Sequence, residues 1–111
     1  MDANLTFRSI DLDETEEQIA SGPHRMMSFQ VMNLSEATMY LHFYDALIAN
    51  VTVGTTTPKL TYAIPAGGGL SCSPPGGIRF DTGIAAAATT TISGADAPGA
   101  NECVLDVMYQ P

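Results

Sequence analysis

Tryptophan is missing from this chain, and basic residues, histidine and cysteine are scarce; each shortage closes off a class of function. Four Lys and Arg stand against twelve Asp and Glu, a formal charge of −8, so the chain repels phosphate backbones and no nucleic-acid partner is expected. No run approaches the roughly 20 consecutive apolar residues of a membrane-spanning helix, and no membrane partner is expected either. Met1-Asp2-Ala3-Asn4 carries neither the basic nor the apolar region of a secretory signal, which points to a cytosolic chain. In that compartment the triplets Asn4-Leu5-Thr6, Asn33-Leu34-Ser35 and Asn50-Val51-Thr52 read as chance rather than as glycan acceptors. Cys72 and Cys103 have no CxxC spacing and no nearby histidine, so they do not make a zinc site. They read as small buried hydrophobes, although an oxidising setting would let them pair.

Catalytic patterns are equally sparse. The Gly- and Pro-rich run P-K-L-T-Y-A-I-P-A-G-G-G-L-S-C-S-P-P-G-G-I-R-F-D-T-G-I, residues 58–84, has no GK pair to reach a phosphate and no helix to complete a dinucleotide turn. Its glycines and prolines therefore read as corners between strands. His24 lies in the turn S-G-P-H-R and His42 in an alternating segment, and neither belongs to a nucleophile motif. Arg79 beside Asp81 reads as an ordinary ion pair. The acidic run Asp11-Leu12-Asp13-Glu14-Thr15-Glu16-Glu17 departs from a calcium loop at Glu16, where a glycine would have to make the sharp turn. It reads as a solvated connection between strands, with adventitious divalent-cation binding the main alternative, and as an interface if a partner's lysines or arginines relieve the carboxylate repulsion. No catalytic residue, cofactor-binding residue or metal ligand is expected, and the chain reads as non-enzymatic.

What is present is alternation. With 111 residues the chain can bury one core, and 45% hydrophobic residues against 14% charged suggest a surface that is partly covered by a partner. Leu5, Phe7 and Ser9 alternate with Thr6, Arg8 and Ile10 as a first strand. In 26–34, Met27, Phe29 and Val31 share a face. In 38–45, Met39, Leu41 and Phe43 oppose Tyr40, His42 and Tyr44, and the short N-L-S-E-A link predicts an antiparallel hairpin between these two segments. Segments 59–64 and 102–109 are half-buried strands by the same pattern, with 69–73, 77–80 and 84–92 between them. The alanines of 85–88 favour helix locally, but one turn followed by T-T-T-I reads better as strand. About seven to nine short strands with regular turn signals predict an all-β fold, a β-sandwich or small barrel, in a single domain spanning 1–111.

The pieces M-S-F-Q-V-M-N-L-S-E-A-T-M-Y-L-H-F-Y-D-A, V-G-T-T-T-P-K-L-T-Y-A-I-P-A-G-G-G and G-G-I-R-F-D-T-G-I-A-A-A-A-T-T, followed by a terminal apolar strand, occur in an order that resembles small structural proteins of tailed bacteriophages. The resemblance covers about residues 14–111 and leaves 1–13 as a separate strand or arm. It implies a jelly-roll-like β-sandwich of antiparallel strands and a role as a capsid decoration or cement protein. Such a protein binds the outer surface of the major capsid protein, oligomerises as a homotrimer, and is made in the bacterial cytoplasm before joining the virion exterior. Tyr40, His42, Tyr44 and Tyr62 are the candidate interface residues, and the six methionines suit an adaptable contact as well as an irregular core. A tail or tail-fibre component is the neighbouring expectation. From a different class, a small carbohydrate-binding sandwich would need aromatics and carboxylates converging at loops, in a chain with four Tyr and four Phe.

Overall fold

The computed structural model describes residues 4–99 and 101–111; Met1, Asp2 and Ala3, read above for the lack of a signal, lie outside the described residues. Nine strands follow one another: β1 (Leu5–Ser9), β2 (Glu17–Ser21), β3 (His24–Asn33), β4 (Met39–Asp45), β5 (Leu60–Ile64), β6 (Gly69–Cys72), β7 (Ile78–Phe80), β8 (Gly83–Thr89) and β9 (Cys103–Gln110). A 3-10 turn at Ile48–Asn50 is the one helical element among the described residues.

The pairing is nested and antiparallel throughout. β4 pairs with β5, β3 with both β6 and β7, β2 with β8, and β1 with β9, as in one long hairpin folded back on itself. Rolling that hairpin adds the pairs β3 with β9 and β4 with β8, and divides the strands into two sheets. The first sheet runs β1-β9-β3-β6, with β7 extending the edge beyond β6, and the second runs β2-β8-β4-β5. That order is a jelly roll, the fold class expected from the sequence.

Between the sheets lies a continuous core of Leu12, Met26, Phe29, Val31, Met39, Leu41, Phe43, Ile64, Phe80, Ile84, Leu105 and Val107, with Ala86 beside Phe43 and Ala88 beside Leu41 on the neighbouring strand. Hydrophobic alternation along β4 and β9, together with one face of the fully buried β8, supplies it. All four residues from Ala85 to Ala88 are fully buried, because β8 is covered on both faces. Local helix preference loses there to two-sided packing, for which a methyl group is the size that fits.

Three expectations need correction. Segments 26–34 and 38–45 do not form a hairpin: β3 and β4 lie in opposite sheets, and residues 34–38 carry the chain from one to the other. The alternation is right, but a short link between two strands also fits a sheet-to-sheet corner, and only the available partners decide. In β3 the register shifts between Met26 and Ser28. The bulge brings Met26 into the core and leaves Met27 half-buried, where simple alternation puts Met27 inside. Lastly, the acidic run is not all connection. Leu12 is a fully buried plug whose N–H donates to the Cys103 carbonyl at 3.1 Å, and Glu17 opens strand β2.

The Gly-Pro run turns corners as read. Gly67 and Gly76 adopt positive φ. Gly77 does so too, and a Cβ there would lie 2.7 Å from Arg25 Cγ and 2.8 Å from Met27 Sδ, so glycine is required by space as well as by conformation.

Candidate functional site

The two outer faces of the sandwich are treated differently. Outside the β2-β8-β4-β5 sheet, Tyr44, Val51, Ala85 and Ala87 form a second apolar cluster, with Ala46 and Val53 packed against it. Residues 46–59, between β4 and β5, fold back over this face and meet residues 90–99 from the β8–β9 connection. They touch at Gly54, whose φ is +91° and whose Cβ would come within 3.2 Å of Ala95 Cβ and 3.4 Å of the Gly94 carbonyl carbon. Glycine permits this backbone-to-backbone approach.

Side chains anchor the cover. Gln18 donates from Nε2 to the carbonyls of Ala20, Ile84 and Ala46, and its Oε1 accepts from Ile48 N–H at 2.9 Å. The Asp45 carboxylate accepts from the backbone N–H groups of Thr82 (2.8 Å), Asp81 (3.1 Å) and Gly83 (3.4 Å). Burial alone would raise the Asp45 pKa, but these N–H groups, with Lys59 nearby, outweigh it and hold the carboxyl below its ordinary 3.8. A depressed carboxylate contributes stability above its unfolded value and loses it as pH falls through the folded one. Asp45→Asn is therefore expected to cost about 1 kcal/mol at neutral pH, the screening of a partly solvated site included. Urea denaturation should show that gap closing as pH is lowered below 3.8.

Where the two connections meet they leave a half-open pocket of about 190 Å³. His42 and Tyr44 line it from β4, and residues 54–58 and 92–94 complete its wall. His42 is 3% exposed and both ring nitrogens are engaged. The Thr89 hydroxyl donates to the Thr91 carbonyl at 2.7 Å and so accepts from His42 Nε2–H at 2.8 Å. The unprotonated Nδ1 then accepts from the Thr61 hydroxyl at 3.0 Å. Burial pushes the imidazole below its ordinary 6.5, so it is neutral at physiological pH. The Tyr44 phenol is pushed up, first by burial and then by the Glu16 carboxylate. This is a rigid, uncharged floor, and the locked histidine has no free nitrogen for acid–base work.

The four candidate interface residues are thus separated. His42 and Tyr44 are buried under the chain's own loops. Tyr62 turns inward, its ring 5.0 Å from Phe29 and 6.3 Å from Phe43 between centroids. Tyr40 is half-buried on the outer face of its sheet. Opening residues 46–59 and 90–99 would uncover His42 and Tyr44, but Tyr62 faces the core on the other side of the sheet, so the four do not form one surface.

Elsewhere, His24 binds the Gly22 carbonyl through Nδ1 at 3.0 Å and stands edge-on to Tyr109. Arg79 and Asp81 form an exposed ion pair at 3.2 Å. Both cysteines are free thiols: Cys103 is in the core, where burial first and then Glu17 push it up to about 12, and Cys72 is half-buried. Among the described residues no group of three His, Cys, Asp or Glu side chains is placed to hold a metal ion.

The outer face of the β1-β9-β3-β6 sheet has no such cover among the described residues. The register lines up Thr6, Met108 and Ser28 in one row, Arg8, Asp106, Gln30 and Ser71 in the next, and Val104, Met32 and Gly69 in a third. Met32 and Met108 are each 43% exposed, and Arg8 pairs with Asp106 at 3.5 Å. Small serines beside Met108 leave a shallow depression of about 170 Å³. Sequence reading missed this face because its polar and apolar residues alternate with core residues and look like ordinary solvent-facing positions. Only the strand order shows that they form one surface. No family model matches this chain, and no curated protein does.

Proposed function

We propose that the protein is a non-enzymatic structural protein of a phage virion, a decoration protein that binds the outside of the capsid and links neighbouring capsid subunits. The observation that carries this reading is the one-sidedness of the sandwich: one sheet is sealed by its own loops while the other presents an uncovered face with exposed Met32 and Met108. Flexible thioethers among small polar groups make a surface that adapts to a partner. Repetition over a lattice lets a modest contact hold through multivalency. The order of sequence pieces that resembles tailed-phage structural proteins, and the jelly-roll topology, support the same reading. The contact falls to the bare sheet rather than to His42, Tyr44 and Tyr62.

The test is sedimentation with capsid shells stripped of their outer proteins, preceded by the mass in solution from light scattering. Saturable co-sedimentation and a species of about three times the 11.7 kDa chain are expected. Met32→Asp with Met108→Asp should weaken binding about tenfold or more, 1.4 kcal/mol, with the thermal midpoint unchanged. Protein that stays in the supernatant at every concentration overturns the reading.

A further inference from the structure

We propose that the pocket between residues 54–58 and 92–94 binds a single neutral pyranose unit. It is independent of capsid binding, which uses the opposite sheet.

The chemistry of the wall narrows the ligand. Thr55, Thr57 and Ser93 bring exposed hydroxyls, Pro58 and Ile92 bring apolar surface, and the buried Tyr44 lies beneath them. No Asp, Glu, Lys or Arg lines the pocket, and its one histidine is held neutral. A cation would find no carboxylate, and an anion would meet a chain of net charge −8 with no basic group at the site. A purely apolar ligand would strip water from the hydroxyls without replacing its hydrogen bonds. A sugar ring, with hydroxyls around its rim and C–H groups on its face, satisfies both halves of the wall, the Thr and Ser hydroxyls taking the place of the expected carboxylates and Pro58 and Ile92 that of the expected aromatics.

Size agrees. A cavity of about 150 Å³ accepts benzene, whereas drug-sized molecules occupy roughly 300 Å³ or more. At about 190 Å³ the pocket fits one substituted six-membered ring. Because it is half open, the ring can be either free or the terminal unit of a glycan. The floor is already rigid: His42 is fixed between Thr61 and Thr89, so binding does not have to order it.

The experiment is an NMR titration of the whole chain with the methyl glycosides of glucose, galactose, mannose and N-acetylglucosamine. At least one is expected to give saturable shifts confined to the amides of 54–57 and 92–94 and the His42 imidazole. Ser93 is exposed at the wall, so Ser93→Trp should fill the pocket and abolish those shifts while the rest of the spectrum is retained. A second variant, Thr55→Val with Thr57→Val, removes two exposed hydroxyls and should weaken binding about tenfold. An oligosaccharide ending in the binding sugar then separates the sources: equal or tighter binding marks a glycan terminus, and exclusion marks a free sugar. Absence of saturable shifts with all four glycosides, or shifts indifferent to Ser93→Trp, overturns the proposal.

Discussion

Asn33→Asp, a substitution that barely changes shape, is expected to destabilise the protein by about 3–5 kcal/mol at neutral pH. Asn33 closes β3 and is fully buried. Its amide nitrogen donates to the carbonyls of Ala37 (2.8 Å), Ile64 (3.0 Å) and Pro65 (3.2 Å), tying the β3–β4 corner to the end of β5. Its amide oxygen accepts from the Ser35 N–H at 2.9 Å and the Ser35 hydroxyl at 2.6 Å. Aspartate keeps the accepting side and replaces the donor with an oxygen facing three carbonyls. An ionised carboxylate there is buried without a donor on that side, and a protonated one recovers a single hydrogen bond. The folded-state pKa of the new Asp must therefore rise above its unfolded value of about 3.9. Stability is then lost as pH rises above that value, the opposite sign to Asp45. Urea denaturation of the variant should show partial recovery between pH 7 and about pH 4 relative to the parent. A variant with the parental midpoint at pH 7 would show that Asn33 does not tie these loops together.

Phe43→Ala is expected to cost a similar amount, about 3–5 kcal/mol. Phe43 is fully buried on β4, with its ring centroid 5.1 Å from Phe29 and 6.3 Å from Tyr62. Its strand neighbours are Ala86 on β8 and Leu60 on β5. An alanine facing Ala86 leaves a void that the two sheets cannot close, since their spacing is set by Phe29, Phe80 and Leu41 as well. Against the 5–15 kcal/mol of a typical small domain, such a loss brings the variant close to half-unfolded on mild heating. Phe43→Leu, which keeps most of the volume, should lose less than about 1.5 kcal/mol. Chemical denaturation with an unchanged slope measures both; a Phe43→Ala loss below about 1 kcal/mol would mean that the core relaxes around the gap.

Alternation marks most individual strands of this chain. β1, β4, β5 and β9 lie where hydrophobic period and turn residues place them, and the Gly-Pro run is a series of corners. β8 is a strand as expected but ends at Thr89, so all but the first residue of T-T-T-I belongs to the connection rather than continuing the strand to 92. β2 was less legible, because Glu17 and Gln18 continue an acidic run and only Ile19 and Ala20 are buried. Asn33 was legible only as part of a glycosylation-like triplet. Its bonds to Ser35 and Ala37 are local, but the carbonyls that make it a hub between strands are 31 and 32 residues away, and no sequence pattern marks those. His42 and Tyr44 stood out as a polar face of β4, yet that face is inside, since a connection of fourteen residues folds back over it.

Short antiparallel strands, the places where most of them run, and the apolar side of strands such as β4 and β9 follow from the sequence alone, because period-two alternation and backbone-specific turn residues are local properties. Tertiary structure decided which sheet each strand joins, the bulge that brings Met26 rather than Met27 into the core, and the burial of one outer face beside the exposure of the other. Those depend on contacts between residues far apart in the chain, and burial is a property of what a residue is packed against, not of the residue.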